Sequence, residues 1–255
     1  MRITSLSLIL LFAVLSEPVM LQPQIKAQTL LTACDSASSC EARGAQALKE
    51  GDVPTAIKCF RLQVGFAEDA NSPLQIASAY NRMSQAYFQV QDYPRALSWT
   101  RLALRIDPQN QPAKHAFSII QKHLTDWPAN PTGTYVRYSG RGIWDTLCLT
   151  QGLSHKIRFQ LVAFRVGPAW REFGPAAYGD ILGDAAPTRQ GSYVLKGFED
   201  FPGCRVELSL RRRTATVLEP TGDCGFGQGV RAGGQYDRIS ATMPDLDQCG
   251  DSETP

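Results

Sequence analysis

The sequence predicts an α+β chain in which N-terminal α-helical hairpins, two of them with a capping helix, precede a small antiparallel β-barrel or sandwich of about eight strands. Three observations carry this. The turn Gly51-Asp52-Val53-Pro54-Thr55-Ala56 returns forty residues later as Gln91-Asp92-Tyr93-Pro94-Arg95-Ala96, each time between stretches of helical apolar spacing. Of 21 glycines, 17 lie between Gly133 and Gly234, so a helix-compatible part gives way to a turn-rich one. After Pro128 and Pro131 the apolar period changes from helical to alternating.

The chain opens with Arg2 and the apolar run Leu6 to Leu15, which is too short to span a bilayer. With small residues downstream it reads as a secretory signal peptide over residues 1–27, cleaved after Ile25-Lys26-Ala27. Pro18, Pro23 and Lys26 interrupt any single helix here. Leu31-Thr32-Ala33-Cys34 resembles the lipobox of bacterial lipoproteins, which implies lipidation at Cys34. In that family the box directly follows the apolar core, whereas here 18 residues intervene, so simple cleavage is the expectation. The chain is then secreted or periplasmic, with no transmembrane segment in its mature part. Residues 28–37 form a leader, 38–127 the helical domain, 128–241 the β-domain and 242–255 a tail.

In the helical part, Ser38 with Glu41 reads as a capping box. Gly44, Ala45, Ala47 and Leu48 continue at helical spacing to Gly51-Asp52. A second helix runs from Thr55 through Ala56, Ile57, Phe60, Val64 and Ala67 to the stop Asn71-Ser72-Pro73. Leu74, Ala77, Tyr80, Ser84, Tyr87 and Phe88 mark a third, and Ala96, Trp99, Ala103, Leu104 and Ile106 a fourth, closed by Asp107-Pro108. A cap follows over Pro112 to Trp127, apolar at Ala116, Phe117, Ile120 and Leu124, with Lys114, His115, Lys122 and His123 opposite.

Ser84, Tyr87, Ala96, Ala103 and Pro108 fill the slots of the tetratricopeptide repeat, and Gly44, Ala56 and Phe60 fill them in the first copy. The helical part resembles that family. It departs from it at Gln63, in an alanine slot, at the displaced Pro73, and in a period of 40 residues where about 34 is usual. The resemblance implies a binding module whose concave face comes from the first helix of each hairpin: Glu41, Ala45, Leu48 and Lys49, then Asn81, Gln85, Phe88 and Gln89. A protein or peptide partner is expected there. The paired Lys and Asn pattern that grips a C-terminal carboxylate in some members is missing, which argues against chaperone tails. Two hairpins and a cap make a short stack, so the chain should either dock it on the second domain or self-associate.

Eight strands are expected at residues 134–138, 144–149, 156–166, 178–181, 192–196, 205–210, 214–218 and 235–239. Val206, Leu208 and Leu210 alternate with Arg205, Glu207, Ser209 and Arg211, so that strand is wet on one side. From Lys156 to Val166 both faces are apolar, and the helical part is expected to cover the outer one. Arg211-Arg212-Arg213 reads as an exposed hairpin turn. Gly133-Thr134-Tyr135, Trp144, Tyr193, Cys204, Cys224-Gly225-Phe226-Gly227 and Gly234-Gln235-Tyr236 resemble small exported bacterial β-barrel domains, lysozyme inhibitors among them. Such inhibitors act through loops to which Ser139-Gly140 and Tyr193-Val194-Leu195-Lys196-Gly197 are similar in composition but not in spacing. Inhibition of a wall-degrading enzyme through the β-domain is therefore the alternative to an exported adaptor.

Seven cysteines in an exported chain point to disulfides and an odd thiol. Cys204 and Cys224 bracket a hairpin and should pair. Cys34 pairs with Cys40 if it precedes the helix, and Cys59, Cys148 and Cys249 stay unassigned. No zinc-type Cys/His spacing occurs, and no metal or cofactor is expected. A formal charge of +2 argues against a nucleic-acid role, since no basic face stands out. His115 and His123 lie on the cap, and His155 beside Ser154 forms no nucleophile pair. Gly225-Phe226-Gly227-Gln228-Gly229 precedes a strand rather than a helix, so it is a barrel corner, not a phosphate loop. Glu172, Asp180, Asp184, Glu199 and Asp200 have no fixed spacing, and the chain is not expected to be an enzyme.

Overall fold

The computed structural model describes residues 34–124, 127–152, 155–198, 200–246 and 249. The expected signal peptide and its cleavage site lie outside them. The described chain, from Cys34 onward, forms one compact unit in which helices are followed by a closed antiparallel β-barrel.

Five helices come first: α1 (Ala37–Lys49), α2 (Val53–Asp69), α3 (Pro73–Gln89), α4 (Tyr93–Ile106) and α5 (Gln111–Ile120), the last followed by a 3₁₀ turn at Gln121–His123. The capping box of α1 is Ser36 with Ser39, not Ser38 with Glu41. The Ser36 hydroxyl accepts from the Ser39 N–H and the Ser39 hydroxyl accepts from the Ser36 N–H. The two matching turns have matching chemistry. Asp52 and Asp92 are N-caps with nearly identical backbones (φ −82°, ψ 72° and φ −81°, ψ 71°), and each accepts from the N–H three residues on, at 3.2 and 3.1 Å. Pro54 and Pro94 sit in the first turn, where no N–H is needed. Ahead of them Gly51 (φ +83°) and Gln91 (φ +61°) end the previous helix in the left-handed region.

Each helix packs antiparallel on the next, and α3 also touches α1 and α5. The helices therefore form two layers, α1, α3 and α5 in one and α2 and α4 in the other. Gly44 and Ser84, forty residues apart, mark the close crossings. A Cβ on Gly44 would stand 2.4 Å from the Phe60 ring. At the corresponding crossing the Ser84 and Thr100 hydroxyls are 2.7 Å apart, with Thr100 donating on to the Ala96 carbonyl.

The barrel strands are β1 (Gly133–Gly140), β2 (Ile143–Gln151), β3 (Ile157–Arg165), β4 (Ala177–Pro187), β5 (Ser192–Phe198), β6 (Phe201–Leu210), β7 (Thr214–Val217) and β8 (Gly234–Ser240). They pair in sequence order, and β8 closes on β1. Closure decides between barrel and sandwich and removes free sheet edges. Leu147, Leu149, Phe159, Leu161, Ile181, Val206 and Leu208 fill the interior. As expected, β6 alternates, with Val206 and Leu208 inside and Arg205 exposed.

The helical part docks on the outer face of β8, β1 and β2, not of β3. One core runs from the helices to Val136, Trp144 and Ile239. At its centre Tyr80 and Trp99 meet Tyr138 and Trp144, with ring centres 5.0 to 5.7 Å apart. Cys249 from the tail lies over the other end of β2 and β3, bonded to Cys148 on β2 with its Sγ 3.6 Å from the Gln160 carbonyl.

Cys204–Cys224 and Cys34–Cys40 are bonded as expected, and Cys59 is the buried free thiol. Burial pushes that thiol above its ordinary value. With Cys34 in a disulfide, its sulfur is not free for the lipidation that the lipobox resemblance implied. Three disulfides fit an oxidising, extracytoplasmic compartment. No helix among the described residues is long and apolar enough to cross a membrane.

Candidate functional site: a groove on the outer helical layer

A four-residue helix, α6 (Trp170–Phe173), between β3 and β4 clasps α2. Gly65 makes this possible, since a Cβ there would stand 2.0 Å from the Trp170 ring. The Trp170 indole donates to Asp69 at 3.2 Å, Arg141 from the β1–β2 turn donates to the same carboxylate at 2.7 Å, and Arg171 lies 3.4 Å from it and over the Phe66 ring. Burial acts to raise the Asp69 carboxyl, but these donors outweigh it and hold the group below the usual range. Next to it Glu68 accepts from the Tyr80 and Tyr138 hydroxyls and from the Arg141 N–H. Burial, and then the Glu68 charge, drive the Tyr80 hydroxyl far up. Arg101 on α4 pairs with Asp237 on β8. The barrel thus occupies the α2 and α4 layer.

The other layer carries an open groove of about 560 Å³ between α3 and α5. Asn81, Arg82, Gln85 and Phe88 line it from α3, and Pro112, His115, Ala116 and Ile119 from α5. Beyond Phe88 it continues into a shallower basin lined by Gln85, Gln89, Gln91 and Tyr93. Phe88 and Tyr93 meet edge to face at 5.5 Å, and His123 stacks on Tyr93 at 4.2 Å. His123 therefore has a ring partner that the cap pattern did not show, while His115 is an exposed wall of the groove.

Of the residues selected from the sequence, Asn81, Gln85 and Phe88 line the groove and Gln89 its extension. Glu41 lies beside it in an ion pair with Arg82 at 2.9 Å. Lys49 is exposed at the end of α1. Leu48 is only 7% exposed and packs in the core, so its side chain is not surface. Its carbonyl instead accepts from Gln89 at 3.3 Å. Asn81 donates to Asn110, the N-cap of α5, at 3.0 Å, which fixes α3 against α5. Sequence reasoning missed the α5 wall because Pro112 and Ala116 have no distinguishing side chain.

Ser139, Gly140 and Arg141 are not free loop residues. Ser139 donates to Asp145, and Arg141 is held by Glu68 and Asp69. Asp145, with no exposed side-chain surface, pairs with Arg137 inside the barrel mouth; burial raises its carboxyl and Arg137 opposes that. Among the described residues no group of three or more His, Cys, Asp or Glu side chains could hold a metal ion. Comparison with protein-family models and with curated proteins gives no match.

Proposed function

We propose that the protein is an extracytoplasmic adaptor whose helices are tetratricopeptide hairpins and whose α1, α3 and α5 layer binds an extended peptide segment of a partner protein. The single observation that carries the reading is the groove between α3 and α5, left open while the barrel takes the opposite layer. The forty-residue match of caps and crossings supports the repeat assignment.

The chemistry of the groove favours a peptide main chain. Asn81, Gln85 and Gln89 recur every four residues on α3, about 6 Å apart along the axis. Same-side groups of an extended chain recur about every 6.7 Å. Each carboxamide has a donor and an acceptor, as a peptide unit does. Phe88 and Ile119 supply apolar contact for a side chain.

Panning an unstructured-peptide display library on the disulfide-intact protein tests this. The strongest ligand should lose affinity roughly 5- to 30-fold in Gln85→Ala and in Phe88→Ala. Full affinity in both variants sinks the proposal. Inhibition of a wall-degrading enzyme is less well supported, because the Ser139-Gly140 turn is already engaged by α2. A lysozyme assay with the full chain distinguishes the two readings.

A further inference from the structure

Where the barrel meets the end of the helical part, cations outnumber the carboxylates among the described residues. Arg211, Arg212 and Arg213 form the β6–β7 turn. Arg212 donates through Nε to the Trp127 carbonyl at 2.6 Å, and Arg213 donates to the Leu124 carbonyl. Lys122, two residues before Leu124 in the chain, is exposed, as are Arg211 and Arg212. Arg101 and Arg238 line the same crevice as Arg213. Asp237 is the one carboxylate among the described residues that touches this group, and Arg101 holds it. The partners of Arg212 and Arg213 among the described residues are neutral carbonyls, which offset none of the guanidinium charge. Anchoring Arg212 by Nε leaves its two terminal nitrogens as donors, a fork that matches phosphate oxygens.

We propose that this patch docks the protein on an anionic phospholipid surface. Charge complementarity, shape and compartment all favour such a surface. The crevice holds only about 10 Å³, too little to enclose a ligand, so the exposed cations meet a surface instead. Three disulfides place the chain outside the cytoplasm, where phospholipid headgroups present phosphate and nucleic acid is not the expected polyanion. The patch lies on the β6–β7 turn and the end of the helices, apart from the α3–α5 groove, so it is independent of the peptide reading.

Vesicle co-sedimentation of the full, disulfide-intact chain tests the proposal. Phosphatidylglycerol-containing vesicles should retain it and pure phosphatidylcholine vesicles should not, with retention falling as salt rises. Lys122→Glu combined with Arg211→Glu, two exposed side chains, should lower retention by at least about tenfold. Lys58→Glu with Lys196→Glu changes net charge equally at exposed sites outside the patch and should leave retention nearly unchanged. Equal loss in both double variants overturns the proposal. So does salt-insensitive retention, equal retention on neutral vesicles, no retention at all, or tighter binding of short duplex DNA than of the vesicles.

Discussion

Arg137 and Asp145 show how a single buried pair can hold a barrel mouth closed. Asp145 accepts from Arg137, the Ser139 hydroxyl and the Phe164 N–H, while Arg137 also donates to the carbonyls of Arg231 and Gly233. Breaking such a pair leaves the remaining charge buried, so Arg137→Met should cost about 3–5 kcal/mol in urea unfolding. Asp69 is the opposite case, a carboxyl whose folded value lies below its unfolded one. The stability it contributes is fully present above about pH 4 and is lost as pH falls through the folded value. Asp69→Asn should therefore melt below wild type at neutral pH, and the gap should close in acid. A gap constant with pH would show that the clasp does not depend on the charge. Arg238 closes the other end of the barrel between the Trp127 and Tyr135 rings, donating to the carbonyls of Pro128, Thr132 and Arg212. The roles of Arg137, Asp145 and Arg238 were not legible in the sequence, because an inward Arg or Asp in a strand looks like any solvated one until the barrel closes around it; Asp69, at the end of α2, looked like any exposed helix-end carboxylate.

At the scale of elements, the N-caps of α2 and α4 do equivalent work. Asp52→Ala and Asp92→Ala should each cost about 1 kcal/mol by thermal unfolding, since each removes one acceptor from an otherwise unpaired N–H. The caps were not legible in advance, since the one capping box expected, Ser38 with Glu41, is Ser36 with Ser39, and Asp52 and Asp92 were read only as turn residues. The hairpin turns and the eight strands could be read in advance because their causes are local: a glycine or proline in the turn, an alternation of period two. The Cys204–Cys224 and Cys34–Cys40 bonds were legible for the same reason. Cys148–Cys249 was not, since 101 residues separate them and only the folded tail brings them together. The α6 clasp escaped too, because four residues carry no period. The docking strand was misplaced for a related reason. Apolar outer residues on β3 signalled a cover without naming it, and β1 and β2 held their docking residues Val136, Tyr138 and Trp144 in ordinary alternation.

For the molecule as a whole, the shared core explains how so short a helical stack stands. Its α2 and α4 layer is completed by the barrel, whose Val136, Trp144 and Ile239 join the helical core. Unfolding followed by tryptophan fluorescence, which reads Trp99 and Trp144 in the junction, should therefore coincide with loss of helix by circular dichroism. Two separated transitions would mean that the halves fold independently. The barrel occupies the α2 and α4 layer, and the proposed peptide ligand is expected on the layer left open. Site-specific photocrosslinking tests it most directly, with a photoreactive residue at Gln85 in the groove or at Tyr178, exposed on the barrel. A peptide selected by display should crosslink from position 85 and not from position 178. Crosslinking from 178 alone would mean that the ligand sits on the barrel and not in the groove.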